Sequence, residues 1–441
     1  SLKMPRLNWI FYRYLNNRAL ITTIIFLTPL FFTYLSWNSL ILDHHGYRQT
    51  QTALSTFWIP YSENWLNFIT PVFGEPWSVP LEYPIYQIVV SFTANYLQLT
   101  LEESARIITL LSFYLAVLPI SYLMRGKIRD NLSFYAFYFS SPILLFFSHT
   151  FLIESFAFLL SISVLFSFIF FTKNNSFFSG VLFIIIGSIC GLQKITGLMA
   201  ALIGCGIYSL FFLSTLNRSI LLKNIVSHCM LYFLAILLPV SWVLYTDNFK
   251  SETYILNFLT SDSLSNWNYG TITQRLDPYN LLKLFGFRMI FIGGITILIL
   301  RLFLYNFNSL LNNIIPIACI FIGLFGPLVF FNLYLVHDYY MVASLGFIGF
   351  GLHQLIDRES PRFNIIKRDI HFAKIILITN LVIFSFWYLP KINQIPDSHK
   401  DMYKTALALK EKVAKEDVIL TLGADWDSTI PYYSERYALM I

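Results

Sequence analysis

Apolar runs close to twenty residues long recur from residue 19 to residue 390, and this repetition constrains the fold more than any other feature of the chain. A helix needs about 20 apolar residues to cross a hydrocarbon core of about 30 Å, because each residue advances it by about 1.5 Å. The runs lie at 19–41, 105–123, 132–148, 151–171, 177–192, 197–216, 226–246, 284–304, 310–335, 339–356 and 373–390. They predict an all-α polytopic membrane protein with about eleven transmembrane helices. Only 12% of the residues are charged, about half the share of a soluble domain, which leaves too little polar surface to cover a water-soluble globule. The same numbers exclude a disordered chain, a collagen-like repeat, a small disulfide scaffold and a nucleic-acid-binding domain. Cys190, Cys205, Cys229 and Cys319 sit in or beside apolar runs without CxxC or CxxH spacing, so they read as small hydrophobes rather than as disulfide or metal partners.

The order of sides follows from the basic residues. Lys3, Arg6, Arg13 and Arg18 precede the first run with no acid among them, as expected of an uncleaved anchor whose N-terminus stays in the cytoplasm. With that start the cytoplasmic segments hold 16 basic and 4 acidic residues, and the external loops before the tail hold 5 basic and 12 acidic. This asymmetry is the one a bacterial inner-membrane protein should show, and a single miscounted span would scramble it. The apolar segment 86–99 is therefore not counted as a span: its 14 residues make only about 21 Å of helix, and crossing there would put Arg125, Lys127 and Arg129 outside. It is expected to be an external surface helix.

Residues 43–104 then form one large external loop. Arg48 to Trp58 places Ala53, Leu54, Phe57 and Trp58 at helical spacing, and Trp65, Leu66, Phe68 and Ile69 suggest a second interfacial helix. A second external loop covers 247–283. The chain divides into a transmembrane domain, 1–390, and an external α/β tail, 391–441. In the tail a charged helix is expected over 398–415 and a strand over 417–422, and the apolar run ending at Ile441 leaves open that this unit is incomplete. The tail's Asp425-Trp426-Asp427 mimics the metal-binding DxD of soluble transferases, but no nucleotide-binding βαβ unit accompanies it, so it reads as a polar loop after a strand.

Ionisable groups at the membrane edge are functional candidates by default. Five clusters fall on the external side: Asp43 to Ala53 (DHHGYRQTQTA), Leu81 to Tyr86 (LEYPIY), Glu154, Gln193-Lys194, and His337 to Tyr340 (HDYY). The competing readings are helix caps for Glu154 and Lys194 and an aromatic belt for Tyr339 and Tyr340. The Asp43 cluster sets a carboxylate, two imidazoles and a guanidinium directly beside the bilayer. Asp43, His44, His45 and Asp338 are competent ligands for a divalent cation, but adjacent histidines on a helix do not readily face one ion, and no HxxxH or HExxH spacing occurs.

An Asp just outside the first span in a long helical loop, a Pro-Ile-Tyr motif, a His-Asp-Tyr-Tyr before a late span and an external tail resemble the GT-C superfamily of polyprenyl-phosphate-sugar-dependent glycosyltransferases. The resemblance is nearest the protein mannosyltransferases, aminoarabinose transferases and related bacterial envelope-glycan transferases. It rests on His45 to Ala53, on Glu82-Tyr83-Pro84-Ile85-Tyr86 and on Asp427 to Arg436 (DSTIPYYSER), and with the topology it spans nearly the whole chain. It implies a donor sugar on a polyprenyl phosphate and an acceptor hydroxyl on an envelope glycan, glycolipid or protein outside the membrane. Asp43 becomes the general base of an inverting transfer. Aminoarabinose transferases carry Lys-Pro-Pro-Leu where this chain has Glu82-Tyr83-Pro84-Ile85, so the positive charge for the donor phosphate must come from Arg48, Lys194 or Arg275. His45, Gln49, Glu82, Tyr86, Glu154, His337, Asp338 and Tyr340 are the expected substrate contacts. No cofactor is assigned, a divalent cation stays open, and no metal ligand is named. The rivals are a lipid-linked glycan transporter, which should carry its ionisable groups near mid-bilayer, and an O-antigen polymerase or ligase, which would share substrate and side.

Overall fold

The computed structural model describes residues 18–124, 131–254, 259–303, 314–357 and 362–441. The cytoplasmic charges expected at Lys3, Arg6, Arg13, Arg125, Lys127, Arg129 and Arg358 lie outside the described residues. In chain order the labelled helices are α1 (Arg18–Leu35), α2 (Gly46–Trp58), α3 (Ile85–Leu97), α4 (Leu101–Leu115), α5 (Val117–Met124), α6 (Leu132–Ser140), α7 (Pro142–Phe147), α8 (Glu154–Asn174), α9 (Phe177–Gln193), α10 (Ile195–Ser214), α11 (Arg218–Thr253), α12 (Ile314–Val329), α13 (Met341–Asp357), α14 (Arg362–Trp387), α15 (Asp397–Lys412) and α16 (Thr429–Ser434), with further helical segments Ser261–Tyr269, Ile272–Leu276, Pro278–Leu281, Leu282–Phe291 and Thr296–Phe303 between α11 and α12 and Phe331–Val336 between α12 and α13. Among the described residues six helices are long and apolar enough to cross a membrane, and a pair bent by 84°, Pro278–Phe291 with Thr296–Leu302, makes a seventh if counted as one span.

The expected eleven exceeds this count for local reasons. The 132–148 run breaks because Ser141 leaves the helical region and Pro142 starts α7, where its missing N–H costs nothing. Phe177–Gln193 is apolar but short, and Ile314–Val329 is the described part of the helix expected at 310–335, whose first residues lie outside the described ones. The bent pair turns at Gly293-Gly294: Gly294 has φ +73°, and a Cβ on Gly293 would lie 2.0 Å from the Met289 carbonyl oxygen, so the corner needs glycine at both positions. The lipid-facing surface is apolar, with Phe31, Leu118, Leu210, Leu222 and Phe386 all exposed. In water such a surface would aggregate; in a bilayer it is solvated. The protein is an integral membrane protein.

Two cores divide the work. The larger holds the bundle together through Phe134, Phe137, Phe146, Phe158, Phe168 and Phe350. The smaller, with Ile41, Ala53, Leu54, Trp58, Tyr86, Phe151, Ala438 and Met440, ties the external loop and the tail to the outer end of the bundle. α2 and α3 form as expected, but the predicted helix at Trp65–Ile69 does not. Pro60 and Pro71 flank that stretch, and the Asn64 side chain accepts from the Leu66 N–H at 2.9 Å, a local turn that competes with helix. In the tail, strand β1 (Val418–Thr421) pairs in parallel with β2 (Tyr437–Met440). The other edge of β2 bonds to the external loop, from Ala438 N to Pro71 O at 3.0 Å and from Met440 N to Val72 O at 2.9 Å. Tyr432 OH donates to Glu102 Oε1 at 2.7 Å, fastening α16 to α4.

Candidate active site

The polar cluster after α1 is not helical at its start. His45 takes the left-handed conformation (φ 61°) immediately before α2, a region that His adopts more readily than most residues. That turn lets both histidines point the same way: His44 Nε2 lies 3.1 Å from Asp338 Oδ2 and His45 Nε2 lies 2.6 Å from Asp338 Oδ1. Tyr388 OH also donates to Asp338 Oδ2 at 2.7 Å. The helical-spacing objection to a shared ion therefore falls, since His44 precedes the helix. The ligand atoms of His44, His45 and Asp338 lie within 4.8 Å of one another, a two-imidazole, one-carboxylate set suited to a divalent transition metal. Lys391 Nζ stands 3.4 Å from His44 Nε2 and opposes such an ion. Burial raises the Asp338 pKa, but the hydrogen bonds and charges of the two histidines outweigh it and hold the carboxyl well below its usual range. Burial lowers the pKa of His45 despite Asp338, and that of His337 to about 4.

Asp43 occupies a different environment. It is buried, and its Oδ1 accepts from Gln49 Nε2 at 2.7 Å. The Gln49 Oε1 is itself fixed by the Phe151 N–H at 2.9 Å. Burial pushes the Asp43 pKa up to about 6, with Gln49 and the charge of Arg106 pulling the other way. Arg106, near the start of α4, donates to the carbonyls of Trp37 at 3.2 Å and Ser39 at 2.7 Å. Sequence reasoning missed it, although a lone cation inside an apolar run was the available signal.

Two cavities lie in this outer region. The inner one, about 430 Å³, is walled by α8, α10, α12 and α13. Lys194, in the extended link between α9 and α10, pairs there with Glu154, the first residue of α8. The Lys194 ammonium also lies 4.3 Å from the centre of the Tyr340 ring, a cation–π contact. The outer cleft, about 480 Å³, is walled by α2, α3, residues 68–82 and the tail. Arg48 lines it, donating to Glu82 Oε1 at 3.0 Å and Gln51 Oε1 at 3.2 Å. Burial disfavours the guanidinium, yet Glu82, Tyr339, Tyr340 and Glu154 together raise its pKa, so its field reaches residues of the inner cavity too.

Asp43, His45, Gln49, His337 and Asp338 line neither of these cavities, and two further expected site residues are placed elsewhere. Arg275 spends its guanidinium on the carbonyls of Tyr269, Leu328 and Val329 and lines neither cavity, because its helix is docked on the α12 end. Tyr86 is fully buried in the smaller core, with its N–H on Gln193 Oε1 and its OH 2.7 Å from Thr109 Oγ1, so it positions α3 rather than meeting a ligand. The loop reading of Asp425-Trp426-Asp427 agrees with the structure. Asp427 Oδ1 accepts from the Thr429 N–H and hydroxyl, while Trp426 lines the outer cleft.

The structure matches ArnT from Cupriavidus metallidurans in the apo state with a TM-score of 0.64 at 13% identity, covering 95% of this chain and 85% of that one. Against ArnT bound to undecaprenyl phosphate the TM-score is 0.65 at 14% identity, with the same coverage. The fold is GT-C. The Archaeoglobus fulgidus oligosaccharyltransferase in the apo form also shares it, with a TM-score of 0.61 at 12% identity over 96% of this chain and 64% of that one. No family model and no curated protein matches the sequence. The GT-C resemblance carried by the loop motifs thus holds for the architecture.

Proposed function

We propose that this GT-C chain is an inverting glycosyltransferase that moves a sugar from a polyprenyl phosphate to a hydroxyl on the external face of a bacterial inner membrane. The observation that carries the reading is the inner cavity: a partly buried ammonium, Lys194, in the wall of a space formed by apolar helices, with Arg48 acting on it from outside. A lipid-borne phosphate enters between helices and needs cations in a water-poor place, where charge-assisted contacts are strong. The ArnT structure with undecaprenyl phosphate supports such a donor. Asp43 is the general base, since a carboxylate whose pKa lies near the operating pH both accepts a proton and remains ionised. Attack from the face opposite the phosphate inverts the anomeric centre. Glu154 and Tyr340 hold Lys194, and His44, His45 and Asp338 brace the loop that carries Asp43. A divalent cation on that triad would supply further charge beside the site.

The test is to incubate the purified protein with a panel of polyprenyl-phosphate sugars and extracted envelope glycolipids and to measure product mass. A new glycosidic product with inverted configuration is expected; undecaprenyl phosphate that fails to bind at all would overturn the reading. Sidedness is checked with Glu63→Cys and Asn174→Cys on a Cys229→Ser background: an impermeant thiol reagent should label the first from outside and the second only from the cytoplasm.

A further inference from the structure

The outer cleft has a feature that the transfer reaction as described does not use. The amide oxygen of Gln87, on α3, is buried and has no hydrogen-bond partner among the described residues, although the side chain lines the cleft. The cleft's other polar groups are largely engaged: Thr52 and Ser55 bond to carbonyls of their own helix, and Arg48 is neutralised by Glu82. What remains without a partner is a neutral acceptor enclosed in the wall of a cleft whose lining also includes Trp426, the ring of which packs against Tyr47 and Phe73. None of the helices that cross the membrane contributes a lining residue, so a ligand arrives from the aqueous side.

We infer that this cleft binds an uncharged sugar ring of the acceptor, with one ring hydroxyl donating to Gln87 Oε1 and the C–H face of the ring against Trp426. The inference rests on the glycosyltransferase reading and deepens it: the tail supplies one wall of the acceptor site. An aromatic side chain and an unpartnered neutral acceptor in the walls of one cleft suit a pyranose, which offers an apolar face edged by hydroxyl donors.

The full chain in lipid nanodiscs is probed by saturation-transfer NMR with the methyl glycosides of glucose, galactose, mannose and N-acetylglucosamine, and separately with undecaprenyl phosphate. At least one glycoside should bind. Gln87→Leu should weaken it by up to about tenfold, the loss expected for one neutral hydrogen bond, while raising Tm because the orphan acceptor is gone. A glutamine that only supports the fold would lower Tm instead. Trp426→Ala should weaken the same glycoside and Trp426→Phe should restore part of it, with undecaprenyl phosphate binding unchanged in all three variants. The inference is overturned if no glycoside binds the wild type, if the variants bind as tightly as the wild type, or if a serine-containing peptide competes where glycosides do not. Undecaprenyl phosphate that fails to bind while the glycoside results hold would instead remove the donor assignment and leave the cleft as a saccharide site.

Discussion

Two carboxylates of neighbouring loops meet opposite surroundings. Asp338, on the 337–340 side, is clasped by two imidazoles and a phenol and held well below its ordinary range. On the 43–49 side, Asp43 has one neutral amide and a buried setting, and rises to about 6. Environments that drive two acids apart in this way support the roles proposed above: Asp338 as a fixed charge that organises a loop, and Asp43 as the group that exchanges a proton at working pH.

The largest effect that could break this contrast is on Asp43→Asn. Its single-turnover rate should fall about 10²-fold or more, while donor affinity is kept. The same variant should be more stable at pH 7.5. A carboxyl raised from 3.8 to about 6 on folding stabilises the fold only below its unfolded value, and that contribution is lost as pH rises through 6. At pH 7.5 the ionised group therefore costs about 3 kcal/mol, which the amide avoids. The gain should shrink to nothing below about pH 4. A stability loss at pH 7.5 with turnover intact at saturating donor would make Asp43 a structural cap.

Next in size, Lys194→Ala should weaken undecaprenyl phosphate binding about tenfold or more, from the loss of a charge-assisted contact worth roughly 1.5–3 kcal/mol. Asp338→Asn should cost stability of the same order, about 1.5–3 kcal/mol by thermal unfolding, with turnover at saturating substrate much less affected. Were it to abolish turnover and leave Tm unchanged, the two carboxylates would have to exchange roles. The smallest expected effect is on the pH profile. The acid limb of kcat/KM should lie near pH 6 in the wild type, and Gln49→Leu should move it upward by a few tenths of a unit, because Gln49 favours the ionised form.

Much of this was legible in the chain because it depends on residues close together. The apolar runs, the cluster after the first span, the loop helices α2 and α3 and the charged tail helix are local patterns, and they appear where hydropathy and spacing put them. The unread parts are pairings over long distances. β2 looked like a trailing apolar run because its partners are residues 418–421 and 71–73. Arg106 lies 63 residues from the Asp43 whose charge it opposes, and nothing near either residue announces the other. Arg275 looked like any other cation on the external side, and its commitment to three carbonyls depends on how its helix docks.

The seam between β2 and residues 71–73 sets an order on biogenesis. The loop that carries Asp43, Arg48 and Glu82 leaves the ribosome long before the strand that closes it. Every intervening helix must be threaded into the bilayer before Ala438 and Met440 can reach Pro71 and Val72. A chain stalled partway through insertion therefore displays its acidic and basic loop residues without the Trp426 wall. A correctly inserted protein announces completion when that loop becomes protected from protease.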